Sequence, residues 1–155
     1  QYRYELVPDW AHPEGITSLV DVVGITVDDQ DRVFVFNRSR HPVIVLDRHG
    51  HQLYCWGEGL FRRPHGSCLA ADGTLWCTDD FAHVVYRFTL EGEQLGMLGE
   101  RDRPSDTGCR DGFDILERVA SIARGAPPFN QPTGVAVAST TAPSPSRGWR
   151  NAGSG

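Results

Sequence analysis

"GITVDDQDRVFVFNRSRHPVIVLDRHGHQLYCWGE" (24–58) and "GSCLAADGTLWCTDDFAHVVYRFTLEGEQLGMLGE" (66–100) align without a gap. Gly24 meets Gly66, an offset of 42 residues, and the register holds to the end of both stretches. Asp31 falls on Gly73, His41 on His83, Gly50 on Gly92, Leu53 on Leu95, and Gly57-Glu58 on Gly99-Glu100. A third copy opens at "QPTGVAVA" (131–138), where Gly134 stands in the place of Gly66. A chain that repeats itself at such an interval is built from units that cannot bury both of their faces alone and therefore stack.

Within each copy the apolar residues alternate or come in short β-branched and aromatic bursts. "GITVD", "RVFVFN", "VIVLD" and "QLYCW" read as strands, separated by the turns "DDQD" and "RHGH". The second copy supplies "TLWCT", "VVYRF" and "QLGML", with turns at "AADG" and "LEGE". Four short strands in about 42 residues is the measure of one β-propeller blade. A β-sandwich needs no sequence repeat at a fixed long period, and a solenoid usually repeats at a shorter one. The expected fold is therefore all-β: a partial propeller of two complete four-stranded blades plus the first strand of a third. Its boundaries are a lead-in with an N-terminal strand at 1–21, blades at 22–63 and 64–104, an insertion at 105–131, and the third-blade strand at 132–138.

Two stretches depart from the repeat. The insertion contains "DILERVASIARG" (114–125), with Ile115, Val119 and Ile122 at helical spacing. Asp114 and Glu117 form a capping box, and Gly125 is a suitable stop. A short helix packed on the neighbouring blades is the expected outcome, ahead of a mobile lid. The tail at 139–155, "STTAPSPSRGWRNAGSG", is rich in Ser, Pro, Gly and Thr and has no strand period. An Asp/Asn-Gly turn and a second strand are due there instead, so a truncated or rearranged piece of a longer propeller is expected.

Composition sets outer bounds. The chain has 155 residues and a formal net charge of -5, which offers no basic footprint for nucleic acid. No apolar run is long enough to span a bilayer. Cys55, Cys68, Cys77 and Cys109 lack CxxC spacing, and three of them sit in apolar strands, so free thiols are expected. That usage leaves the compartment open, with the cytoplasm favoured over secretion. The open β edge of an incomplete propeller invites self-pairing, so homo-oligomers are expected.

The repeat also separates structural from functional candidates. His41 and His83 are equivalent and read as loop residues. His65, in Pro64-His65-Gly66, has Val23 and Thr133 as counterparts and stands at the entry to an innermost strand. An imidazole there can meet a metal, but one histidine makes no site and zinc takes three or four ligands. Arg38 ends its strand where the second copy has Asp79-Asp80. Its planar fork suits a carboxylate, while a surface ion pair is the plainer alternative. Asp79-Asp80 can hold calcium or cap the loop, and capping is the simpler reading.

These stretches resemble a known family. "VVGITVDDQDRVFVFNRSRHPVIV" (22–45), "PHGSCLAADGTLWCTDDFAHVVYRF" (64–88) and "FNQPTGVAVA" (129–138) look like consecutive blades of NHL-repeat six-bladed propellers. With "YELVPDW" (4–10), "PSDTG" (104–108) and "GAPPFNQPTGVAV" (125–137), they are most similar to the peptidyl-α-hydroxyglycine α-amidating lyases and their bacterial relatives. The resemblance implies cleavage of a peptidyl-α-hydroxyglycine to a peptide amide and glyoxylate. It implies zinc held by three histidines, of which His65 matches the first, and a structural calcium in the central channel. Backbone carbonyls of Ile25 and Ser67 match calcium ligands, and Arg38 matches an arginine that helps hold the substrate. The family's tyrosine base, two further zinc histidines and the acidic calcium ligand have no match in this sequence. Two classes of function follow: an amidating-lyase-like fragment without turnover of its own, or a non-catalytic propeller module that binds a protein or peptide.

Overall fold

The computed structural model describes residues 2–12, 19–110 and 114–138; the expectation of an irregular tail at 139–155 lies outside them. Eight strands alternate with tight turns: β1 (Gly24–Val27), β2 (Val33–Phe36), β3 (Val43–Leu46), β4 (Gln52–Trp56), β5 (Pro64–Leu69), β6 (Leu75–Asp79), β7 (Val84–Phe88) and β8 (Gln94–Leu98). They form two antiparallel four-stranded sheets, each with its strands in chain order. The 42-residue repeat of the sequence is also a repeat of register. Gly24 pairs with Phe36 as Gly66 pairs with Thr78, and Val33 pairs with Leu46 as Leu75 pairs with Phe88. Even the irregularity recurs, since the ladder slips between Val45 and Leu46 and again between Arg87 and Phe88.

One turn geometry generates this register. In four of the six hairpins the first turn residue donates its N–H across the turn, and its carbonyl accepts from a residue three positions on. These are Asp28 with Arg32 and Asp31, Asp47 with His51 and Gly50, Ala70 with Thr74 and Gly73, and Thr89 with Glu93 and Gly92. The fourth residue is left-handed each time, with φ of 59° at Asp31, 76° at Gly73, 85° at Gly50 and 94° at Gly92. Three glycines and an aspartate occupy the four places because few other residues accept that conformation.

The sheets stack front to back. One face of the first sheet presents Phe34, Phe36, Val43 and Val45, flanked by Tyr54 and Trp56; the opposite face of the second presents Leu75, Cys77, Tyr86 and Phe88. Trp56 lies against Phe88 with ring centroids 5.0 Å apart, and its indole N–H donates to the Leu90 carbonyl at 3.1 Å. On its other face the first sheet buries Val35, Ile44 and Leu46 under Trp10, Ala11 and Leu19. Each sheet thus offers one face forward and the other backward. This is the arrangement that lets identical units follow one another without end-to-end symmetry.

Three expectations change. Residues 2–7 form no strand and are exposed; the lead-in instead touches the first sheet through a parallel bridge between His12 and His51. Residues 132–138 carry no ladder either, although Thr133 and Gly134 lie against Gly66 of β5, where an adjoining inner strand belongs. In both cases the alternating pattern lacks a partner edge among the described residues, and periodicity alone does not make a strand. The helix α1 (Ile115–Ala120) starts at the expected cap, with the Asp114 carboxylate accepting from the N–H groups of Leu116 and Glu117. It stops at Ser121, short of Gly125, and buries none of its residues, so it does not pack on the sheets as expected. The insertion is held by its own ends, where Asn130 Nδ2 donates to Thr107 Oγ1 at 2.9 Å and Ser105 N to the Phe129 carbonyl at 2.9 Å, and by the Gln131 N–H on His83 Nδ1.

Candidate functional site

Antiparallel pairing in chain order puts the starts of β1 and β5 and the ends of β2 and β6 on one rim. Arg38, His65, Asp79, Asp80, His83 and Thr133 all gather there. β1 and β5 are also neighbours, since Ser67 lies against Gly24.

His65 owes its position to a β-bulge. Pro64 pairs with Asp79 and Gly66 pairs with Thr78, so His65 is the extra residue between two consecutive rungs. A bulge of this kind re-aims the side chain that the pleat would otherwise send to one face. The imidazole reaches the 129–138 segment, where its Nδ1 stands 2.9 Å from the Thr133 carbonyl. A carbonyl only accepts, so Nδ1 carries the proton, and in the neutral ring Nε2 keeps its lone pair. That tautomer is the one in which a histidine is presented to a metal, with the second ring nitrogen anchored on the protein. Gly66 makes the anchor possible: a Cβ there would stand 2.7 Å from the Thr133 oxygen.

The segment ahead of His65 is pinned by the two aspartates that the sequence left between calcium and capping. Asp79 is fully buried and accepts from the backbone N–H groups of Arg62 (2.6 Å), Arg63 (3.1 Å) and Ala82 (3.0 Å). Asp80 takes both oxygens to the Arg63 guanidinium, at 2.8 and 3.0 Å from Nε, and Nη2 reaches the same carboxylate. That pairing holds the Arg63 guanidinium even more firmly protonated than usual, against the cost of burial. Arg63 also lies flat over Phe81, 3.6 Å from the ring centroid. Capping accounts for Asp79 and an ion pair for Asp80, and their partners Arg62 and Arg63 could not be read from spacing because 17 residues separate them.

Arg38 is drawn to the same strand. Its Nε donates to the Pro64 carbonyl at 3.0 Å, and Nη1 lies 3.4 Å from the Asp21 carboxylate. Arg38 and His65 are therefore brought to one place, through the peptide unit that joins Pro64 to His65. Beside them an open groove of about 380 Å³ runs between Arg38, Pro42, Phe61, Arg63 and Pro64. Ile25 and Ser67 occupy matching places on the inner strands. Both belong to the non-hydrogen-bonded pairs, Ile25 with Val35 and Ser67 with Cys77, because the hydrogen-bonded pairs step inward from Asp28–Arg32 and Ala70–Thr74. Their peptide groups consequently turn away from β2 and β6. Thr26 Oγ1 and Ser67 Oγ, on the same two strands, are buried with no hydrogen-bond partner.

Among the described residues no three His, Cys, Asp or Glu side chains converge as a metal site. The residues present thus fit a share of a zinc centre, one anchored imidazole, and not the whole of it. All four cysteines are free, as the spacing implied.

No family model matches the chain. It is 26% identical over 128 residues to peptidyl-alpha-hydroxyglycine alpha-amidating lyase 2 of Drosophila melanogaster, a match that covers 66% of this chain and 31% of that protein. The chain thus spans about a third of the length of the curated relative it matches. Among solved structures, virginiamycin B lyase from Staphylococcus aureus superposes with a TM-score of 0.43 at 19% identity, over 53% of this chain and 28% of that one.

Proposed function

We propose that the two sheets are consecutive blades of an NHL-type propeller, and that their shared rim is part of the mouth of an amidating-lyase-like carbon–nitrogen lyase. The observation that carries this reading is the His65 imidazole, placed on a bulge and anchored through Nδ1 so that Nε2 is available. The distant similarity to an amidating lyase supports it. In this reading His65 is a zinc ligand, and the outward carbonyls of Ile25 and Ser67 serve calcium. Arg38 keeps three N–H groups beyond those committed to Pro64 and Asp21, and these serve the carboxylate of a peptidyl-α-hydroxyglycine. Bound zinc would supply Lewis acidity toward the substrate hydroxyl. The described residues provide one imidazole where a catalytic zinc takes three protein ligands.

The chain by itself is accordingly expected to bind zinc weakly and to release no glyoxylate. Zinc titration of the intact chain and of His65→Ala, with a glyoxylate-release assay in parallel, tests both halves. Weak zinc binding that His65→Ala abolishes supports the reading. Zinc binding indifferent to His65→Ala would leave the non-catalytic, peptide-binding module as the better account, and glyoxylate release by the chain alone would overturn the expected inactivity.

A further inference from the structure

A second cavity, of about 420 Å³, opens on the same rim between the β6–β7 loop and the insertion. Phe81 and Pro104 form apolar walls; His83, Cys109, Arg118, Asn130 and Gln131 supply the polar lining, and no carboxylate is among the described lining residues. Arg118 comes from α1. It has no ion pair among the described residues, and its Nε is buried with no hydrogen-bond partner. A buried guanidinium N–H without an acceptor is costly, and an oxygen anion is the group that relieves it. The opposite wall is fixed. The Gln131 N–H donates to His83 Nδ1 at 3.2 Å, and Asn130 Nδ2 is spent on Ser105 and Thr107. Gln131 is held at φ 57°, a conformation that a non-glycine residue adopts only when its surroundings impose it.

We propose that this cavity binds a small organic carboxylate, with the Arg118 guanidinium as its counter-charge and Phe81 and Pro104 against its carbon body. One unpaired arginine balances one negative charge, and its planar fork matches a carboxylate. A phosphate dianion would leave charge uncompensated beside apolar walls. The cavity is continuous in sequence with the His65 anchor, since Gln131 is two residues from Thr133. The site does not depend on the lyase reading: it requires neither zinc nor turnover.

The test is a titration of the full chain with N-acetylglycine and, separately, with its neutral counterpart N-acetylglycinamide, followed by ¹H–¹⁵N spectra. Saturable shifts of the Arg118 Nε–H and the Gln131 amide with the acid and not the amide are expected. Arg118→Gln should weaken binding by about tenfold or more, and Arg118→Lys should fall between, keeping the charge while losing the fork. Unshifted amides in β5–β8 report that each variant is folded, and if Arg118→Gln is not, Arg118→Lys and the neutral amide carry the same comparison. Equal binding of acid and amide, an undiminished affinity in Arg118→Gln or Arg118→Lys, or no shift at about 50 mM acid, a range in which even very weak millimolar sites fill, would overturn the proposal.

Discussion

Asp28 shows how much a single side chain does at a turn. Its carboxylate accepts from the N–H groups of Gln30 (3.0 Å) and Arg32 (2.8 Å) and from Arg32 Nε (2.6 Å). Burial opposes its ionisation, yet these donors and the Arg32 charge together hold its pKa below the ordinary carboxylate value. Its contribution to stability is therefore complete above about pH 4, its unfolded range, and is lost as pH falls through the lower folded value. Asp28→Ala should cost about 2–3 kcal/mol in urea denaturation at pH 7, a penalty that shrinks in acid. The neighbouring Asp31 is the one non-glycine among the four left-handed turn residues, so Asp31→Gly is expected to raise stability by about 0.5–1 kcal/mol. At the equivalent left-handed place in the last hairpin, a Cβ on Gly92 would stand 2.6 Å from the Trp56 ring, and Gly92→Ala should cost about 2–3 kcal/mol. Cys77 is completely buried and burial pushes its thiol pKa far up, so it should resist alkylation until the chain unfolds, while Cys55, Cys68 and Cys109 react earlier.

At the scale of elements, position in the stack decides what a strand contributes. Phe88 of β7 is fully buried between the sheets, whereas Leu98 of β8 is half-exposed on the outward face of the second. Phe88→Ala should cost about 3–5 kcal/mol and Leu98→Ala under about 1 kcal/mol, read from thermal or urea unfolding. The strands and turns were legible in the sequence because the hydrophobic bursts are short, alternate or run in β-branched and aromatic residues, and are separated by turn segments that carry a Gly or Asp. The bulge at His65 was not, since nothing in "RRPHGSC" distinguishes an extra residue from an ordinary rung. Nor was the anchoring of His65 on Thr133, a contact across 68 residues. The helix was legible in its cap and not in its packing. Its apolar spacing at Ile115, Val119 and Ile122 states what could be covered, while the structure leaves all three exposed.

For the whole molecule, the consequence of front-to-back stacking is an outward face on the second sheet that corresponds to the covered face of the first. Leu98 lies exposed on that face, and Leu95 and Met97 are exposed on the other face of the same edge strand β8. The chain on its own is expected to self-associate through this edge, and a monodisperse monomer in light scattering would contradict that. The central claim is that one four-stranded unit occurs twice and that its copies stack in the same sense. Hα–Hα contacts in nuclear Overhauser spectra test it most directly, because they are strong only between the closely spaced, non-hydrogen-bonded residue pairs of an antiparallel ladder. The expected result is matched contacts, Ile25–Val35 and Val27–Val33 in the first sheet and Ser67–Cys77 and Leu69–Leu75 in the second, with the Trp56 indole close to Phe88. Different registers in the two sheets, or a Trp56 ring remote from Phe88, would contradict it.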